Sequence, residues 1–159
     1  MLVMKYLANK KGVTLVEIVI GVAILGVVVI AAALVLAQFV RSATEAKEKT
    51  IALYLAESGI EYIKQIRSED WTNISSLTNG TTYYFNVSTT SIATSVSPEV
   101  IDGYYQRSFE LSSLRRDTSG DILSTGGTVD ADSRYVVVTV NYGGSSLEVG
   151  SILTNLHDE

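Results

Sequence analysis

The sequence contains no cysteine, one proline, one histidine and fewer basic than acidic residues. Without cysteine the chain cannot form a disulfide, a thiolate metal site or a cysteine nucleophile. The one histidine, His157, lies in an acidic C-terminal tail, and the sequence shows no paired-histidine motif, catalytic triad or glycine-rich phosphate loop. Twelve basic residues against seventeen acidic ones give a formal net charge of −5, which argues against nucleic-acid binding. We therefore expect a protein without enzymatic activity and without a cofactor.

An apolar run without charge, proline, asparagine or glutamine covers residues 18–37. A helix needs about 20 apolar residues to cross the hydrocarbon core of a membrane, so the run predicts one membrane-spanning helix. Val13 and Leu15 extend the apolar character in front of Glu17, and we place the whole span at residues 13–37. A carboxylate inside an apolar segment is costly, so Glu17 is expected to have a partner.

Residues 10–17 read Lys-Lys-Gly-Val-Thr-Leu-Val-Glu, which resembles the leader junction of type IV pilins and the related pseudopilins. In that family a prepilin peptidase cuts after the glycine, the new N-terminus is methylated, and the glutamate is the fifth residue of the mature chain. Gly12 and Glu17 have this spacing, whereas Val13 stands where the family usually has phenylalanine. The resemblance implies that residues 1–12 are a leader, that Gly12 and Val13 form the cleavage and methylation site, and that prepilin peptidase is a partner. Removal of the leader would delete three lysines and no acid, and would take the formal net charge from −5 to −8.

Two roles are open for Glu17. The carboxylate can mark the membrane boundary or pair with its own N-terminal amine and the helix dipole. It can instead pair with the Val13 amine of a neighbouring subunit and set the stagger between helices during assembly. A spacing of four residues puts Val13 and Glu17 on one helical face, which suits either role. The family resemblance favours the second role and makes Glu17 the expected assembly residue.

A secretory signal peptide is the main alternative interpretation of the N-terminus. Lys5, Lys10 and Lys11 supply a basic region, and residues 35–37, Val-Leu-Ala, resemble a small-residue cleavage site. Against this, the apolar run is longer than the roughly 15 residues that such signals reach, and Glu17 stands at its front. The basic residues on the two sides of the span are nearly balanced. The expected orientation, with the head outside the cytoplasm, therefore rests on the motif.

Residues 38–67 continue the helical pattern beyond the membrane span. Apolar residues recur at intervals of three and four among charged residues, and no proline interrupts them. The apolar positions are Ala43, Ala46, Ile51, Leu55, Ile60, Ile63 and Ile66. Together the two segments predict one helix of about 55 residues, packed on its own head, on sister helices, or on both over different lengths. Residues 55–61, Leu-Ala-Glu-Ser-Gly-Ile-Glu, with Ile66, Arg67 and Trp71 after them, resemble the post-anchor helix of minor pilins of the V type and minor pseudopilins of the I type.

From Ser68 onwards serine, threonine, asparagine and glycine become frequent, and short alternating segments replace the helical period. The predicted strands are residues 82–87, 104–114, 134–142 and 147–153. Gly143-Gly144 suits a hairpin turn between the last two strands. Residues 88–97 and 117–132 are predicted loops. We therefore expect an α+β fold: a long N-terminal membrane-spanning helix followed by a small antiparallel β-sheet head over residues 68–159.

Asp117 and Asp121 are weak candidates for calcium ligands, and Asp130 and Asp132 could join them. In residues 117–121, Asp-Thr-Ser-Gly-Asp, oxygen-bearing side chains stand at alternate positions, as in calcium loops. The glycine is misplaced for an EF-hand, and no bidentate glutamate follows at the required distance. These departures favour the competing interpretation, a solvated acidic loop without metal.

The resemblance at the leader junction, supported by the helix-then-sheet order, implies a structural subunit, of the minor kind, of a type IV pilus or a type II secretion pseudopilus. The expected partners are prepilin peptidase, other pilin or pseudopilin subunits, the assembly platform with its ATPase, and membrane lipid, but no nucleic acid. The expected location is the cytoplasmic (inner) membrane with a single pass, then an extracellular filament or a periplasmic pseudopilus. The alternative is a single-pass membrane protein that displays an extracellular binding domain and does not assemble. A secreted enzyme is a third class, which the lack of a catalytic constellation disfavours.

Overall fold

The computed structural model describes residues 12–87 and 92–155, and its dominant element is one long helix. Helix α1 comprises Leu15–Glu69, a length of 55 residues. This confirms the prediction of a single continuous helix. The chain divides into two compact units, Met1–Glu45 and Ala46–Glu159, and α1 contributes to both. They are called the N-terminal unit and the head unit below.

The head unit adds a short helix and an antiparallel sheet to the C-terminal part of α1. Helix α2 is the single turn Thr72–Ser75. In the described residues the strands are β1 Thr82–Val87, β2 Ile92–Ser95, β3 Glu99–Ile101, β4 Tyr105–Arg116, β5 Ile122–Leu123, β6 Thr128–Tyr142 and β7 Ser145–Thr154. Their order is β2-β1-β4-β6-β7, with β3 and β5 also paired to β4. A long apolar N-terminal helix followed by an antiparallel sheet is the predicted α+β fold class.

The turn between β6 and β7 confirms the predicted hairpin. Tyr142 pairs with Ser145, so only Gly143 and Gly144 lie between the two strands. The φ angles of these glycines are 52° and 81°. A two-residue turn of type I′ needs positive φ at both positions, which glycine adopts without strain. The turn therefore sets the register of β7 against β6.

Two of the predicted loops are wrong in part. Within the predicted loop 88–97, Ile92–Ser95 forms β2 and pairs with β1, while residues 88–91 lie outside the described residues. Within the predicted loop 117–132, Ile122–Leu123 forms β5 and Thr128 begins β6. These segments become strands because they form hydrogen bonds with β1 and β4, which lie elsewhere in the sequence. The polar composition of the segments themselves does not reveal this pairing. Strand β3 and helix α2 have no counterpart among the predictions.

The core of the head unit lies between α1 and one face of the sheet. Its buried members are Ala52, Ala56, Gly59, Ile60, Ile63 and Ile66 from α1, Ile74 from α2, and Phe85, Tyr105, Phe109, Leu111, Val136, Val138, Val140 and Leu153 from the sheet. The predicted stripe is right at its three C-terminal isoleucines, but Ala43 and Ala46 are exposed. Two alanines and a glycine take the contact instead, because small side chains let the helix lie close to the strands.

Candidate processing and assembly segment

In the N-terminal unit, residues 12–14 lie outside the helix and α1 starts at Leu15. The backbone N–H of Glu17 donates to the hydroxyl oxygen of Thr14 at 3.3 Å and to its carbonyl oxygen at 3.0 Å. The N–H of Ile18 donates to the same carbonyl oxygen at 3.2 Å. Thr14 is therefore the N-cap of α1, and its side chain satisfies one of the N–H groups that a helix start leaves without a helical partner.

Thr14 and Glu17 also have the spacing of a capping box, Thr-x-x-Glu. Glu17 thus lies in the first turn of α1, where the positive end of the helix dipole stabilises a carboxylate. Thr14 has no role among the predictions made from the sequence. The available signal is its position three residues before Glu17, which is the spacing of a capping box. The side chain of Glu17 is exposed, so a second partner has access to it.

The three predicted site residues lie within a span of six positions. Gly12 and Val13 precede the cap in non-helical backbone, and Val13 is 66% exposed. The peptide bond between them is therefore accessible, and Glu17 follows one helical turn later. Residues 1–11, the rest of the predicted leader, and His157 lie outside the described residues. Cleavage and methylation at this bond remain predictions.

The apolar part of α1 has no cover from the described residues. Each residue from 12 to 45 is exposed, and the large apolar side chains among them are 54% to 78% exposed. By length and composition, α1 is able to cross a membrane. Burying one valine, leucine or isoleucine side chain is worth about 1.5–3 kcal/mol, so a helix of this kind is unfavourable in water. The segment therefore requires lipid or neighbouring helices, which points to membrane anchoring.

In the head unit, two residues of the segment 55–61 form hydrogen bonds with a buried arginine. Arg107 on β4 is 3% exposed, and its guanidinium donates to the two carboxylate oxygens of Glu99 at 2.7 and 2.8 Å. It also donates to the hydroxyl oxygen of Ser58 at 2.7 Å and to the carbonyl oxygen of Leu55 at 3.1 Å. One side chain thus makes four hydrogen bonds, of which two join α1 to the sheet and two join β3 to β4.

Two aromatic rings and a glycine complete this contact. The guanidinium carbon lies 4.6 Å from the ring centroid of Phe85 and 4.9 Å from that of Tyr62, and such ring faces stabilise a cation. A Cβ atom at Gly59 would lie 2.9 Å from Cγ1 of Val138 and 3.3 Å from Cδ of Arg107. Glycine at this position therefore permits the close approach of helix and sheet. Residues 55–61, which resemble the post-anchor helix of minor pilins and pseudopilins, therefore pack α1 against the sheet.

Two of the candidate calcium ligands, Asp117 and Asp130, have protein partners for their carboxylates. One carboxylate oxygen of Asp117 accepts the N–H groups of two loop residues, one of them Asp121, at 2.8 and 2.9 Å. Hydrogen bonds from the Ser133 hydroxyl and from Arg116 hold the pKa of Asp130 below its usual value. Among the residues that the structure describes, no group of three or more histidines, aspartates or glutamates is placed to hold a metal ion. The geometry is that of an acidic loop ordered by its own backbone.

A surface hollow of about 470 Å³ lies at the turn of the β6–β7 hairpin. Tyr104, Gln106 and residues 141–146 line it with phenol, amide and hydroxyl groups. Desolvation and a hydrogen bond with Glu48 raise the pKa of Tyr104, so its phenol stays protonated at neutral pH. The hollow therefore offers hydrogen bonds, and its lining side chains include no group that would act as a base.

Comparison with known families supports the assignment of the N-terminal segment. Residues 7–33 match the family model described as the prokaryotic N-terminal methylation motif. The matched residues include Gly12, Val13 and Glu17 and most of the apolar run. No curated protein and no solved structure matches the chain. The motif implies processing by a prepilin peptidase and assembly with other pilins, and together with the exposed apolar helix it supports a membrane-anchored subunit of the pilin and pseudopilin type.

Proposed function

We propose that the chain is a structural subunit, of the minor kind, of a type IV pilus or a type II secretion pseudopilus. Prepilin peptidase hydrolyses the Gly12–Val13 bond, and the new amine of Val13 is methylated. Residues 13–37 hold the subunit in the cytoplasmic membrane, with the head outside the cytoplasm, until the assembly machinery moves it into the filament. The observation that carries this proposal is the spacing of Gly12 and Glu17 at the start of an apolar helical segment whose residues up to 45 are all exposed.

The geometry of the helix start suits processing at this bond. Hydrolysis creates an α-amine on Val13 with an ordinary pKa of about 8, so the new terminus is largely cationic at neutral pH. Thr14 remains in the mature chain, so the N-cap and the place of Glu17 in the first turn are retained. A cation therefore arises four residues before a carboxylate that the helix start already favours.

Assembly gives the apolar side chains a second non-aqueous environment. When a subunit leaves the lipid, sister helices replace the lipid, because exposure to water is unfavourable. Glu17 then loses water as well, and an unpaired carboxylate in apolar surroundings costs about 2.5–3.5 kcal/mol. The Val13 amine of a neighbouring subunit is the matching partner. The helix dipole of its own chain is present before assembly and does not depend on a neighbour.

The substitution Glu17→Gln tests this role, because it removes the charge and keeps the size and the hydrogen-bonding capacity. Membrane insertion and leader cleavage should persist, since the apolar run and the scissile bond are unchanged. Incorporation into filaments should fall at least about tenfold, the equivalent of about 1.4 kcal/mol. The measurement is the ratio of protein in sheared filaments to protein in the membrane pool. Glu45→Gln is the matched control, an exposed glutamate of the same helix outside the apolar run.

Equal incorporation of wild type and both variants would contradict the assembly role of Glu17. Mass spectrometry of membrane-derived protein tests the earlier step, and the expected chain begins at an N-methylated Val13. A chain that keeps Met1, or one that begins at Gln38, would contradict processing at Gly12. A chain that stays in the membrane pool and never enters filaments would support the alternative, a single-pass binding protein.

A further inference from the structure

The two edges of the sheet differ in length and in protection. Strand β2 at one edge has four residues, and short edge strands limit pairing with other chains. Strand β7 at the other edge has ten residues. It contains no lysine, arginine or proline, which commonly protect sheet edges, and its single charged residue is Glu148. Strand β7 is therefore the open edge of the head unit.

The hairpin register decides which backbone groups of β7 are free. The two-residue turn makes Tyr142 and Ser145 a hydrogen-bonded pair, so the odd-numbered residues of β7 bond to β6. The even-numbered residues direct their N–H and C=O groups away from β6; they are Ser146, Glu148, Gly150, Ile152 and Thr154. Within residues 12–87 and 92–155, no other backbone segment bonds to these groups. A row of alternating donors and acceptors thus lies along the edge.

The side chains of β7 show what an added strand would cover. Leu147 and Val149 face the core and are only half-buried, whereas Leu153 at the far end is fully buried. Ile152 lies on the outer face and is 45% exposed. A neighbouring strand would shield the open flank of all the half-covered apolar side chains. The edge therefore offers apolar contact as well as backbone hydrogen bonds.

The charge beside this edge is negative. Residues 68–159 contain four basic side chains, all of them arginines. Each is bonded inside the head unit: Arg107 to Glu99, Arg115 to the carbonyl oxygen of Gly126, Arg116 to Asp130, and Arg134 to the carbonyl oxygens of Ala131 and Ser133. Glu148 and Glu110 line a hollow of about 350 Å³ on the outer face, and its lining residues include no cation. This surface complements a basic partner.

A second copy of the chain is a poor occupant within the filament proposed above. Subunits of a helical filament point the same way and meet head to tail, so one β7 edge cannot pair with another across a two-fold axis. The other edge of a neighbouring copy is β2, which is too short to match ten residues. A copy would also bring a second acidic head to an acidic surface.

We propose that β7 accepts an extended, basic segment of a different protein as an added strand. Strand addition draws affinity from main-chain hydrogen bonds and specificity from alternate side chains. The segment carries a lysine or arginine opposite Glu148 and an apolar residue opposite Ile152. Its inward-facing residues are apolar and cover the open flank of Leu147 and Val149. Only the exclusion of a second copy rests on the proposed function; the open edge and its charge do not.

The test is a peptide titration of the isotope-labelled full chain in detergent micelles. The probe is a strand-length synthetic peptide with valine on the face directed to the core; on the other face it has lysine opposite Glu148 and valine opposite Ile152, and the matched peptide has glutamate in place of lysine. By nuclear magnetic resonance, the lysine peptide should slow amide exchange at Glu148, Gly150 and Ile152. The odd-numbered amides of β7 should be protected with and without peptide. The glutamate peptide should bind about threefold to tenfold more weakly.

Three variants of the chain sharpen the result. Ile152→Pro removes an outward N–H but no bond to β6, so the head should still fold while peptide affinity falls at least about tenfold. Glu148→Lys should reverse the preference between the two peptides. Glu57→Lys, the same charge change at an exposed position on α1, should leave that preference unchanged.

Several outcomes would overturn the proposal. They are equal affinity for the two peptides, and no slowing at the even-numbered amides at about 1 mM peptide. Protection of those amides by the chain itself at rising concentration would also overturn it and would identify a second copy as the occupant. An uncleaved leader in the cell would contradict the proposed function and would leave this titration unchanged.

Discussion

Two phenylalanines show how the units of this chain differ. Phe39 in the N-terminal unit is 71% exposed, whereas Phe109 in the head unit is 0% exposed. One continuous helix serves both units, yet its residues up to 45 are exposed and several beyond that point are buried under the sheet. The apolar side chains of the N-terminal unit are therefore suited to an environment that other molecules supply. The apolar side chains of the head unit bury one another in its own core. The predictions below run from the largest effect to the smallest, and the first three make the same change in each unit.

The largest contrast is expected between Phe109→Ala and Phe39→Ala. Phe109→Ala should lower the free energy of unfolding of the head by about 3–5 kcal/mol, because it leaves a cavity in a closed core. Phe39→Ala should change that free energy by less than about 0.5 kcal/mol. Denaturant unfolding of both variants in detergent micelles, followed by near-ultraviolet circular dichroism, gives the comparison. Similar losses in the two variants would show that the units share one core.

A second pair of substitutions compares two arginines. Arg107→Met should destabilise the head by about 3 kcal/mol, because Glu99 keeps its buried charge and loses its cation. Arg41→Met, at an exposed position of the N-terminal unit, should have almost no effect. The double variant Arg107→Met with Glu99→Met should recover part of the loss, since both charges are then removed. Thermal melting of the four proteins measures this, and a double variant as unstable as the single one would contradict the explanation.

A glycine-to-alanine substitution should destabilise the head unit and stabilise the N-terminal unit. Gly59→Ala should destabilise the head by about 1 kcal/mol, because the new Cβ would crowd Val138 by more than the gain in helix propensity offsets. Gly26→Ala meets no atom within 4 Å, so it should stabilise the helix by up to about 1 kcal/mol. Far-ultraviolet circular dichroism during unfolding reports both changes. Equal tolerance at the two sites would mean that the sheet moves away from α1 at little cost.

The smallest expected effect is a dependence of the stability of the head on pH through Asp130. Its pKa is lowered in the folded state by the Ser133 hydroxyl and by Arg116, so its ionised form stabilises the head. This contribution is complete above the ordinary aspartate value of 3.8 and is lost as the pH falls below it. Asp130→Asn should therefore lower the melting temperature at neutral pH and bring it closer to that of the wild type in strong acid. A constant difference at every pH would exclude Asp130 as the titrating group.

Local patterns were sufficient for the long helix and for four of the strands. The absence of proline before residue 98 and the three- and four-residue spacing predict the long helix, and alternation with β-branched residues predicts β1, β4, β6 and β7. Gly143-Gly144 predicts the hairpin because few other pairs adopt two positive φ angles. Local composition does not predict β2 or the start of β6, because their hydrogen-bond partners lie on strands elsewhere in the sequence.

The candidate site follows the same division. The candidate positions Gly12, Val13 and Glu17 were predicted from eight residues, because a processing motif and a helix cap are both local features of a sequence. Thr14 was equally local, and its spacing to Glu17 was the available signal. The role of Ser58 became apparent only when β4 brought Arg107 against the helix. A contact between residues that are 49 positions apart leaves no periodic trace in either segment.

By itself the sequence determined that an apolar helix needs a non-aqueous environment and where that helix begins, because both depend on neighbouring residues alone. The tertiary structure decided the remaining points. It placed small residues of α1 under the sheet, bonded the four arginines of β4 and β6 internally, and made β7 an open edge beside Glu148. These features depend on which distant strands become neighbours, and that choice is made by packing across the whole head, not by the order of residues within any one segment.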